Sequence, residues 1–327
     1  MKNNLFKIIL VNIVSILVIL FVVEFSLNVM ASLESIQTMK NKELSVARII
    51  EDVKETMYHQ YRQEYSEKFY NYNDFRENKI KPTNSPAVLF IGCSYTYGLE
   101  LDYNDTISSK YADLTNRTTY NLGLPGGGPK EFLHILRNKS LLKQLNIDTN
   151  NIEYVVYVYI NDHQRRLFTN ARVFGPKYKE ENGVLKEKHI NTFFERTRIK
   201  NAITHYYFHH IIRKFFEEYS WQKTERYIKE INKEIKNTFT NHGKETKFII
   251  LSYKELNNED WSNLEKENIQ IIRVKTLTDI NLDEVPYIVW EGNDHPSALA
   301  WDIILPKFIK EINTANTKNK TNEKRIF

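Results

Sequence analysis

The chain contains 327 residues, of which 41% are hydrophobic and 27% charged, enough for one large domain with attachments or for two small domains. Lys and Arg number 46 against 41 Asp and Glu, and the net charge of +5 is too small and scattered to indicate a nucleic-acid-binding surface. The single cysteine, Cys93, excludes disulfide bonds within the chain without arguing against export.

The N-terminal segment has the pattern of a membrane anchor. Residues 8–23 are almost entirely apolar, and with their flanks they reach roughly 20 residues, enough to cross a bilayer. Lys2 and Lys7 precede them, which predicts that the main domain lies outside the cytoplasm, in the periplasm or at the cell surface. We predict an uncleaved single-pass anchor over 1–31, and the alternative is a signal peptide cleaved near Ala31.

A polar stretch with helical spacing follows the anchor. Ile49, Val53 and Met57 recur at intervals typical of a helix, and no Gly or Pro interrupts the stretch before a turn-rich segment at 81–86. We therefore predict a juxtamembrane helical stalk and linker over 32–86.

From residue 87 onward, apolar runs alternate with helical patterns. Predicted strands cover 87–92, 118–122, 154–160, 247–253 and 269–274, and predicted helices cover 105–114, 129–145 and 297–312. Asn104 is the candidate N-cap of the first of these helices. The alternation predicts an α/β domain over 87–314 whose mostly parallel sheet is covered on both faces. The Asn-, Thr- and Lys-rich tail over 315–327 is predicted to be disordered.

Residues 163–240 interrupt this alternation. They contain turn signals at 175–176 and 182–183 and then a long helical stretch rich in Phe and Tyr, so we predict a helical insertion or cap between the third and fourth strands. His205 and His209 have a spacing that could face a metal, but no third ligand accompanies them. We predict that they pack in an aromatic helix face and that the protein uses no metal or organic cofactor.

Four short segments with chemically useful residues follow predicted strands or precede the last helix. Ser94 lies in the small-residue turn Gly-Cys-Ser-Tyr-Thr-Tyr-Gly, and a glycine-rich segment covers 121–129. Asn161 follows the third strand, and His295 comes just before the closing helix. Because open α/β folds keep their ligand sites at the carboxyl ends of strands, we expect these residues to lie close together.

The four segments together provide the groups of an acyl-transfer site. Ser94 is a weak nucleophile alone and needs a base within hydrogen-bond reach, for which His295 is the candidate. The tetrahedral intermediate needs donors for its oxyanion, and the Ser94 N–H, a glycine N–H and the Asn161 side chain are the candidates.

In these residues the chain resembles the SGNH/GDSL hydrolase superfamily, in a membrane-anchored and poorly characterised branch. The resemblance covers residues 87–312 and matches Ser94, Gly126, Asn161 and His295 to the four family blocks, with Gly123 and Gly127 as alternatives to Gly126. It implies a three-layer α/β/α fold with a flavodoxin-like sheet. It also implies ester hydrolysis or acyl transfer through a serine acyl-enzyme, on O-acyl groups of sugars or cell-surface polysaccharide or on lipid esters. The predicted membrane anchor favours an envelope polysaccharide or a lipid-linked sugar as the substrate.

Two positions depart from the family pattern. Cys93 stands where the family has the aspartate of Gly-Asp-Ser, and Gly292 stands where it has the aspartate three residues before the histidine. The acid that supports His295 is therefore open between Asp294, Glu291 and a backbone carbonyl; we assign Asp294 as the candidate.

Several alternatives remain beside this interpretation. Cys93 could act as the nucleophile instead of Ser94, although a buried packing role is favoured. Asp162 and His163 could be solvent-facing loop residues, and the neighbouring pair 165–166 is interpreted as surface charge in preference to an anion site. At the level of the protein, the alternatives are a catalytically inactive binding or assembly domain in the cell envelope and a structural component whose insertion docks a partner.

Overall fold

The structure is a computed structural model that describes residues 74–167, 177–181, 184–188, 213–255, 259–289 and 294–323. All of these residues belong to one compact unit of the chain. The predicted anchor, most of the predicted stalk, and His205 and His209 lie outside the described residues. Among the helices that the structure describes, none combines the length and the apolar character needed to cross a bilayer.

The helices and strands follow one another in the alternation that the sequence predicts. In chain order they are β1 (Ala87–Gly92), α1 (Ser94–Tyr97), α2 (Ile107–Thr115), β2 (Thr119–Gly123), α3 (Pro129–Arg137), α4 (Lys139–Gln144), β3 (Ile152–Ile160), α5 (Asp162–Arg166), β4 (Lys177–Glu181), β5 (Val184–Lys188), α6 (Arg213–Thr238), β6 (Thr240–Asn241), β7 (Lys244–Glu245), β8 (Lys247–Lys254), α7 (Ser262–Glu265), β9 (Gln270–Arg273), α8 (Val274–Leu277) and α9 (Ala298–Glu323).

The centre of the domain is a sheet of five parallel strands in the order β2-β1-β3-β8-β9. This confirms the predicted mostly parallel sheet. The chain passes from β1 to β2 and then returns to the other side of β1 to form β3. The carboxyl ends of β1 and β3 therefore flank the point where the direction of winding changes, which is where open α/β sheets bind ligands.

Helices cover both faces of this sheet, which confirms the three-layer arrangement. Successive side chains of a strand point to opposite faces. In β1, Leu89 and Ile91 pack into one apolar cluster with residues of α3, α4 and α6. Val88 and Phe90 pack into a second cluster with residues of α2, α8 and α9. Each face of the sheet is thus buried by its own layer of helices.

Two predicted helices have different limits in the structure. The helix predicted from residue 105 begins at Ile107, and its N-cap is Thr106 rather than Asn104, because the Thr106 hydroxyl accepts a hydrogen bond from the Ser109 N–H. The helix predicted over 129–145 is divided into α3 and α4. Asn138 lies at the break, and its side chain caps α4 by accepting from the Leu141 N–H.

Within the described residues, the segment 163–240 differs from the predicted helical insertion in two respects. First, it contains an antiparallel hairpin, because β4 pairs with β5 on either side of the predicted Asn-Gly turn. Second, α6 is part of the domain core: Ile228, Ile231 and Ile235 are fully buried in the cluster under the sheet. The reason is topological. β3 and β8 are parallel neighbours, so the chain between them must cross over a face of the sheet, and α6 covers that face.

The domain also begins before the predicted limit at residue 87. Phe75 is buried with the core residues under the sheet. Lys79 exchanges two backbone hydrogen bonds with Thr119 of β2, with N···O distances of 3.0 and 2.9 Å. These contacts cover the open edge of β2, so this part of the predicted linker belongs to the domain.

At the other end, α9 continues to Glu323, so the prediction of a disordered tail from residue 315 is wrong for most of that segment. The tail is polar, but it contains no Gly or Pro that would end a helix already begun by the apolar residues before it.

The core position of α6 can be tested by truncation. Ile231→Ala should lower the free energy of unfolding by about 2–5 kcal/mol, because it leaves a cavity beneath the sheet. Lys233→Ala on the exposed side of the same helix is the control, with an expected change within about 0.5 kcal/mol. Urea denaturation of the full chain, followed by tryptophan fluorescence, measures both. Equal small losses in the two variants would mean that α6 is a peripheral cap.

Candidate active site

Ser94 lies directly after β1 at the carboxyl edge of the sheet. It is the first residue of α1, a short helix that ends at Gly98 in the left-handed conformation, with φ of 73°. Ser94 is largely buried, with 7% of the residue exposed. The strand fixes the position of the turn, and the turn holds the hydroxyl at the edge where a ligand can reach it.

His295 lies in the segment that leads into α9. Its carbonyl accepts from the Val289 N–H at 3.1 Å, and the Ser297 N–H donates to the Tyr287 carbonyl at 2.9 Å. These two hydrogen bonds fix the backbone on both sides of the imidazole. The Nε2 atom of His295 lies 2.8 Å from the Ser94 Oγ, although 201 residues separate the two in the chain. The structure therefore brings the predicted nucleophile and base into hydrogen-bond contact.

The surroundings of His295 favour its neutral form. Burial lowers the pKa of His295 below its ordinary value, and the Asp294 and Glu100 carboxylates oppose this effect only in part. The Arg166 guanidinium and the Lys254 ammonium lower the pKa further. A neutral imidazole has a free lone pair on Nε2, which a general base requires.

The glycine-rich segment contains a backbone donor, the Gly126 N–H, that has no acceptor among the described residues. Pro125 and Gly126 form the corner of a tight turn: Gly126 has φ of 72°, and the Gly127 N–H donates to the Leu124 carbonyl at 2.7 Å. The Gly123 N–H donates to the Asn121 side chain at 2.9 Å. Both alternative glycines thus have their N–H groups engaged, whereas the Gly126 N–H has no hydrogen-bond acceptor within the described residues.

Two further predicted donors also have no hydrogen-bond acceptor among the described residues. The Ser94 N–H is the first of its helix and has no acceptor among the residues that the structure describes. The Asn161 side chain, just after β3, likewise has no hydrogen-bond partner among the described residues. Three donors with no acceptor among the described residues therefore follow three neighbouring strands, and they are the candidates for an oxyanion hole.

Asn121 connects the Ser94 helix to β2. Its side-chain NH₂ donates to the Thr96 carbonyl and to the Ser108 hydroxyl, both at 2.9 Å, while its oxygen accepts from the Gly123 N–H. Gly123 must be glycine, because a Cβ there would lie 2.1 Å from the Tyr97 nitrogen. The absence of a side chain at Gly123 thus lets α1 pack directly on the end of β2.

Arg166 connects the two loops that carry Gly126 and Asn161. Its Nε donates to the Asp162 carboxylate at 2.7 Å and its Nη1 to the Gly127 carbonyl at 2.5 Å. Burial raises the pKa of Asp162, but the Arg166 and Arg165 guanidinium groups outweigh it and hold the pKa below its ordinary value. Asp162 therefore remains a carboxylate and keeps Arg166 in place.

The structure thus corrects the interpretation of this segment as solvent-facing. His163 is fully buried, and its Nδ1 lies 2.7 Å from the Tyr157 hydroxyl. The Arg166 side chain is only 12% exposed, whereas that of Arg165, which also contacts Asp162, is 38% exposed. No sequence signal separates the two arginines, because which one faces the glycine loop depends on how α5 packs.

Two carboxylates lie near the Nδ1 of His295. The predicted candidate, Asp294, is 4.0 Å away and Glu100 is 3.9 Å away. Glu100 is a residue that the sequence interpretation missed. Its only sequence signal is that it lies in the turn just after the Ser94 helix. The other predicted candidate, Glu291, lies outside the described residues.

The geometry does not favour the alternative nucleophile. Cys93 is 0% exposed and belongs to the apolar cluster on one face of the sheet. The Nε2 of His295 contacts the Ser94 hydroxyl. Within the described residues, no group of three His, Cys, Asp or Glu side chains could hold a metal ion.

The link formed by Arg166 can be tested by a substitution that keeps the charge. Arg166→Lys cannot reach Asp162 and the Gly127 carbonyl together, and we expect the free energy of unfolding to fall by about 1.5–3 kcal/mol. Arg165→Lys on the same helix is the matched control and should change it by less than about 1 kcal/mol. Thermal unfolding of both variants provides the measurement, and equal effects would argue against a special role for Arg166.

No protein-family model matches the chain, and no curated protein matches it in sequence. Solved structures similar to it include a protein described as a lipolytic protein of the G-D-S-L family from Desulfitobacterium hafniense DCB-2, with 12% identity, coverage of 68% of this chain and 97% of that chain, and a TM-score of 0.40. AlinE4, an SGNH-hydrolase family esterase, has 12% identity, coverage of 72% and 97%, and a TM-score of 0.38. An acetyl xylan esterase from Butyrivibrio proteoclasticus has 12% identity, coverage of 72% and 66%, and a TM-score of 0.42.

These identities and TM-scores are too low to transfer an activity or a substrate to this chain. The order of the four segments, the parallel sheet and the contact between Ser94 and His295 are properties of the chain itself. In these properties the chain is similar to the SGNH/GDSL hydrolases.

Proposed function

We propose that the protein is a serine esterase or acyltransferase-type hydrolase that acts on O-acyl esters. The observation that carries the proposal is the 2.8 Å contact between the Ser94 Oγ and the His295 Nε2 at the carboxyl edge of a parallel sheet. A nucleophile and a base in contact at this edge, beside donors that have no acceptor among the described residues, form the arrangement used in acyl transfer.

The reaction begins when the Ser94 Oγ attacks the ester carbonyl and the His295 Nε2 takes the hydroxyl proton. The N–H groups of Ser94 and Gly126 and the Asn161 amide bind the oxyanion of the tetrahedral intermediate. Each such donor is worth about 10²–10³-fold in rate. When the intermediate collapses, His295 gives its proton to the alcohol that leaves, and an acyl-Ser94 enzyme remains.

The acyl-enzyme is resolved by a second nucleophile. His295 removes a proton from water, or from the hydroxyl of an acceptor sugar, and the oxygen attacks the acyl carbonyl on Ser94. The same donors bind the second oxyanion, and the proton returns from His295 to the Ser94 Oγ as the acid or the new ester is released. Water as the nucleophile gives an esterase, and an acceptor hydroxyl gives an acyltransferase.

The proposed substrates are O-acyl esters of envelope polysaccharide or of a lipid-linked sugar. This proposal combines the ester chemistry of the site with the anchor predicted at the N-terminus. The alternative, a catalytically inactive binding domain, requires the same fold with a Ser94 that does not react.

A fluorophosphonate probe distinguishes these two functions. Wild type in detergent should be labelled, and Ser94→Ala should lose both the label and at least about 1,000-fold of its activity on short-chain esters and acetylated glycans. Ser140→Ala, at an exposed position of α4, is the control and should be labelled like wild type. A folded wild type that takes no label would exclude the serine mechanism.

The same labelling experiment decides between the two adjacent nucleophile candidates. Cys93→Ala should keep the label, because the thiol is fully buried and His295 contacts the Ser94 hydroxyl instead. If Cys93→Ala loses the label and Ser94→Ala keeps it, the thiol is the nucleophile.

We further propose that the protein is held in a membrane by residues 1–31 with its main domain outside the cytoplasm. The basis is the charge and apolar pattern of the sequence. The full chain should remain in the membrane fraction after alkaline carbonate extraction, and protease added outside intact spheroplasts should degrade it. A soluble mature chain whose mass lacks residues 1–31 would instead identify a cleaved signal peptide.

A further inference from the structure

The histidine of the site lacks a carboxylate at the position where the resemblance leads one to expect it, since residue 292 is glycine. An imidazole that takes a proton on Nε2 becomes a cation, and a carboxylate facing Nδ1 stabilises that cation and fixes the ring orientation. Two described carboxylates are within 4.0 Å of the His295 Nδ1, one on Glu100 and one on Asp294.

The two distances do not separate the candidates, but their exposure does. The Asp294 side chain is 69% exposed, whereas that of Glu100 is 28% exposed. Water and salt screen the interactions of an exposed charge, and an exposed side chain loses more rotamer freedom when it is held in one place.

The backbone of Glu100 is held in an unusual conformation. Its φ is 70°, in the left-handed region that non-glycine residues rarely occupy. Such a conformation is unfavourable for a residue with a side chain and persists only when the surrounding structure enforces it. A strained acidic residue in the turn after the Ser94 helix, facing the histidine, is the kind of outlier found at functional sites.

Arg76 is the group that enforces this turn. Its guanidinium donates to the Gly98 carbonyl at 2.8 Å and to the Leu101 carbonyl at 2.9 Å, on either side of Glu100. The Leu101 N–H also donates to the Gly98 carbonyl at 3.1 Å. The turn that carries Glu100 is thus closed by its own hydrogen bond and held from outside by the half-buried Arg76.

We propose that Glu100 is the positioning carboxylate of His295, in place of the aspartate that the chain lacks at position 292. This proposal rests on the proposed function. The Oε2 to Nδ1 distance of 3.9 Å is longer than a hydrogen bond, and a rotation that moves the carboxylate about 1 Å closes it. During attack by Ser94, His295 holds the transferred proton on Nε2, and Glu100 accepts the Nδ1–H hydrogen bond and stays ionised.

The charged groups around His295 set its pKa and therefore the pH at which activity falls. They are Glu100 from the turn, Asp294 from its own segment, Arg166 from α5 and Lys254 from β8, with the Tyr95 ring 5.4 Å away. The two carboxylates raise the pKa of His295, and burial and the two cations lower it. Because the neutral form is the base, activity falls as the pH drops through this pKa, and removal of Glu100 should move that fall to lower pH.

The test compares kcat, KM and the pH dependence of kcat/KM for ester hydrolysis by the full chain. General acid–base catalysis contributes about 10²–10⁴-fold, and we expect Glu100→Gln to lower kcat about 10- to 100-fold, with KM within about twofold of wild type. The acid limb of its profile should lie at lower pH than that of wild type. Asp294→Asn and Glu291→Gln should lose less activity, and Asp102→Asn, an exposed carboxylate of the same loop, is the charge control.

Glu100→Gly separates positioning from folding. Glycine adopts a φ of 70° without strain, so this variant should fold at least as stably as wild type and still lose activity like Glu100→Gln. Full activity in Glu100→Gly, or a larger loss in Asp294→Asn or Glu291→Gln than in Glu100→Gln, overturns the proposal. Wild type that the fluorophosphonate probe does not label overturns the proposed function as well, whereas a labelled wild type with an active Glu100→Gln overturns this inference alone.

Discussion

The parallel register of three neighbouring strands is the constraint on which the site depends. Gly92 at the end of β1 is level with Gly123 of β2 and with Val158 near the end of β3. Because the strands are parallel and end at one edge, the residues that follow them lie near one another at that edge. Ser94, Gly126 and Asn161 are the products of this alignment, and α9 adds His295 from the far end of the chain. A shift of one residue in this register would turn the buried side chains of a strand to the opposite face, so the packing of the core fixes the position of the site.

A small number of polar contacts converts this approximate alignment into a defined geometry. Asn121 joins the Ser94 helix to β2, Arg166 joins the glycine loop to the segment after β3, and Arg76 fastens the turn after α1. Each is a side chain that donates to backbone carbonyls of a neighbouring loop. Loops that lie at a sheet edge have few apolar contacts of their own, so directional hydrogen bonds from buried donors are the means of holding them. The same partial burial shifts the pKa of His295 toward the neutral base.

Much of the fold could be predicted, because strands buried on both faces have a strong sequence pattern. The run that forms β3 contains almost only β-branched, aromatic and aliphatic residues, and β1 begins and ends at the predicted residues. The role of α6 could not be predicted. Its Ile228, Ile231 and Ile235 have helical spacing, but spacing alone does not say whether a helix covers the sheet or lies beyond it. That distinction follows from β3 and β8 being neighbours, which is a property of the strand order. The edge contacts of Lys79 could not be predicted either, because they join backbone groups, which nearly every residue carries.

The candidate site also has features that could be predicted from the sequence and features that could not. The sequence by itself determined the residue types and their places in the chain: a serine after the first strand, a glycine run after the second, an asparagine after the third and a histidine before the last helix. These could be found because each follows a local pattern that ends at a strand or begins a helix. Only the tertiary structure decided which glycine keeps an open N–H, which arginine spans the two loops, and that Glu100 faces His295. Those choices depend on side-chain direction and on distances between segments remote in sequence, and these exist only once the sheet has set its register and the helices have packed against it.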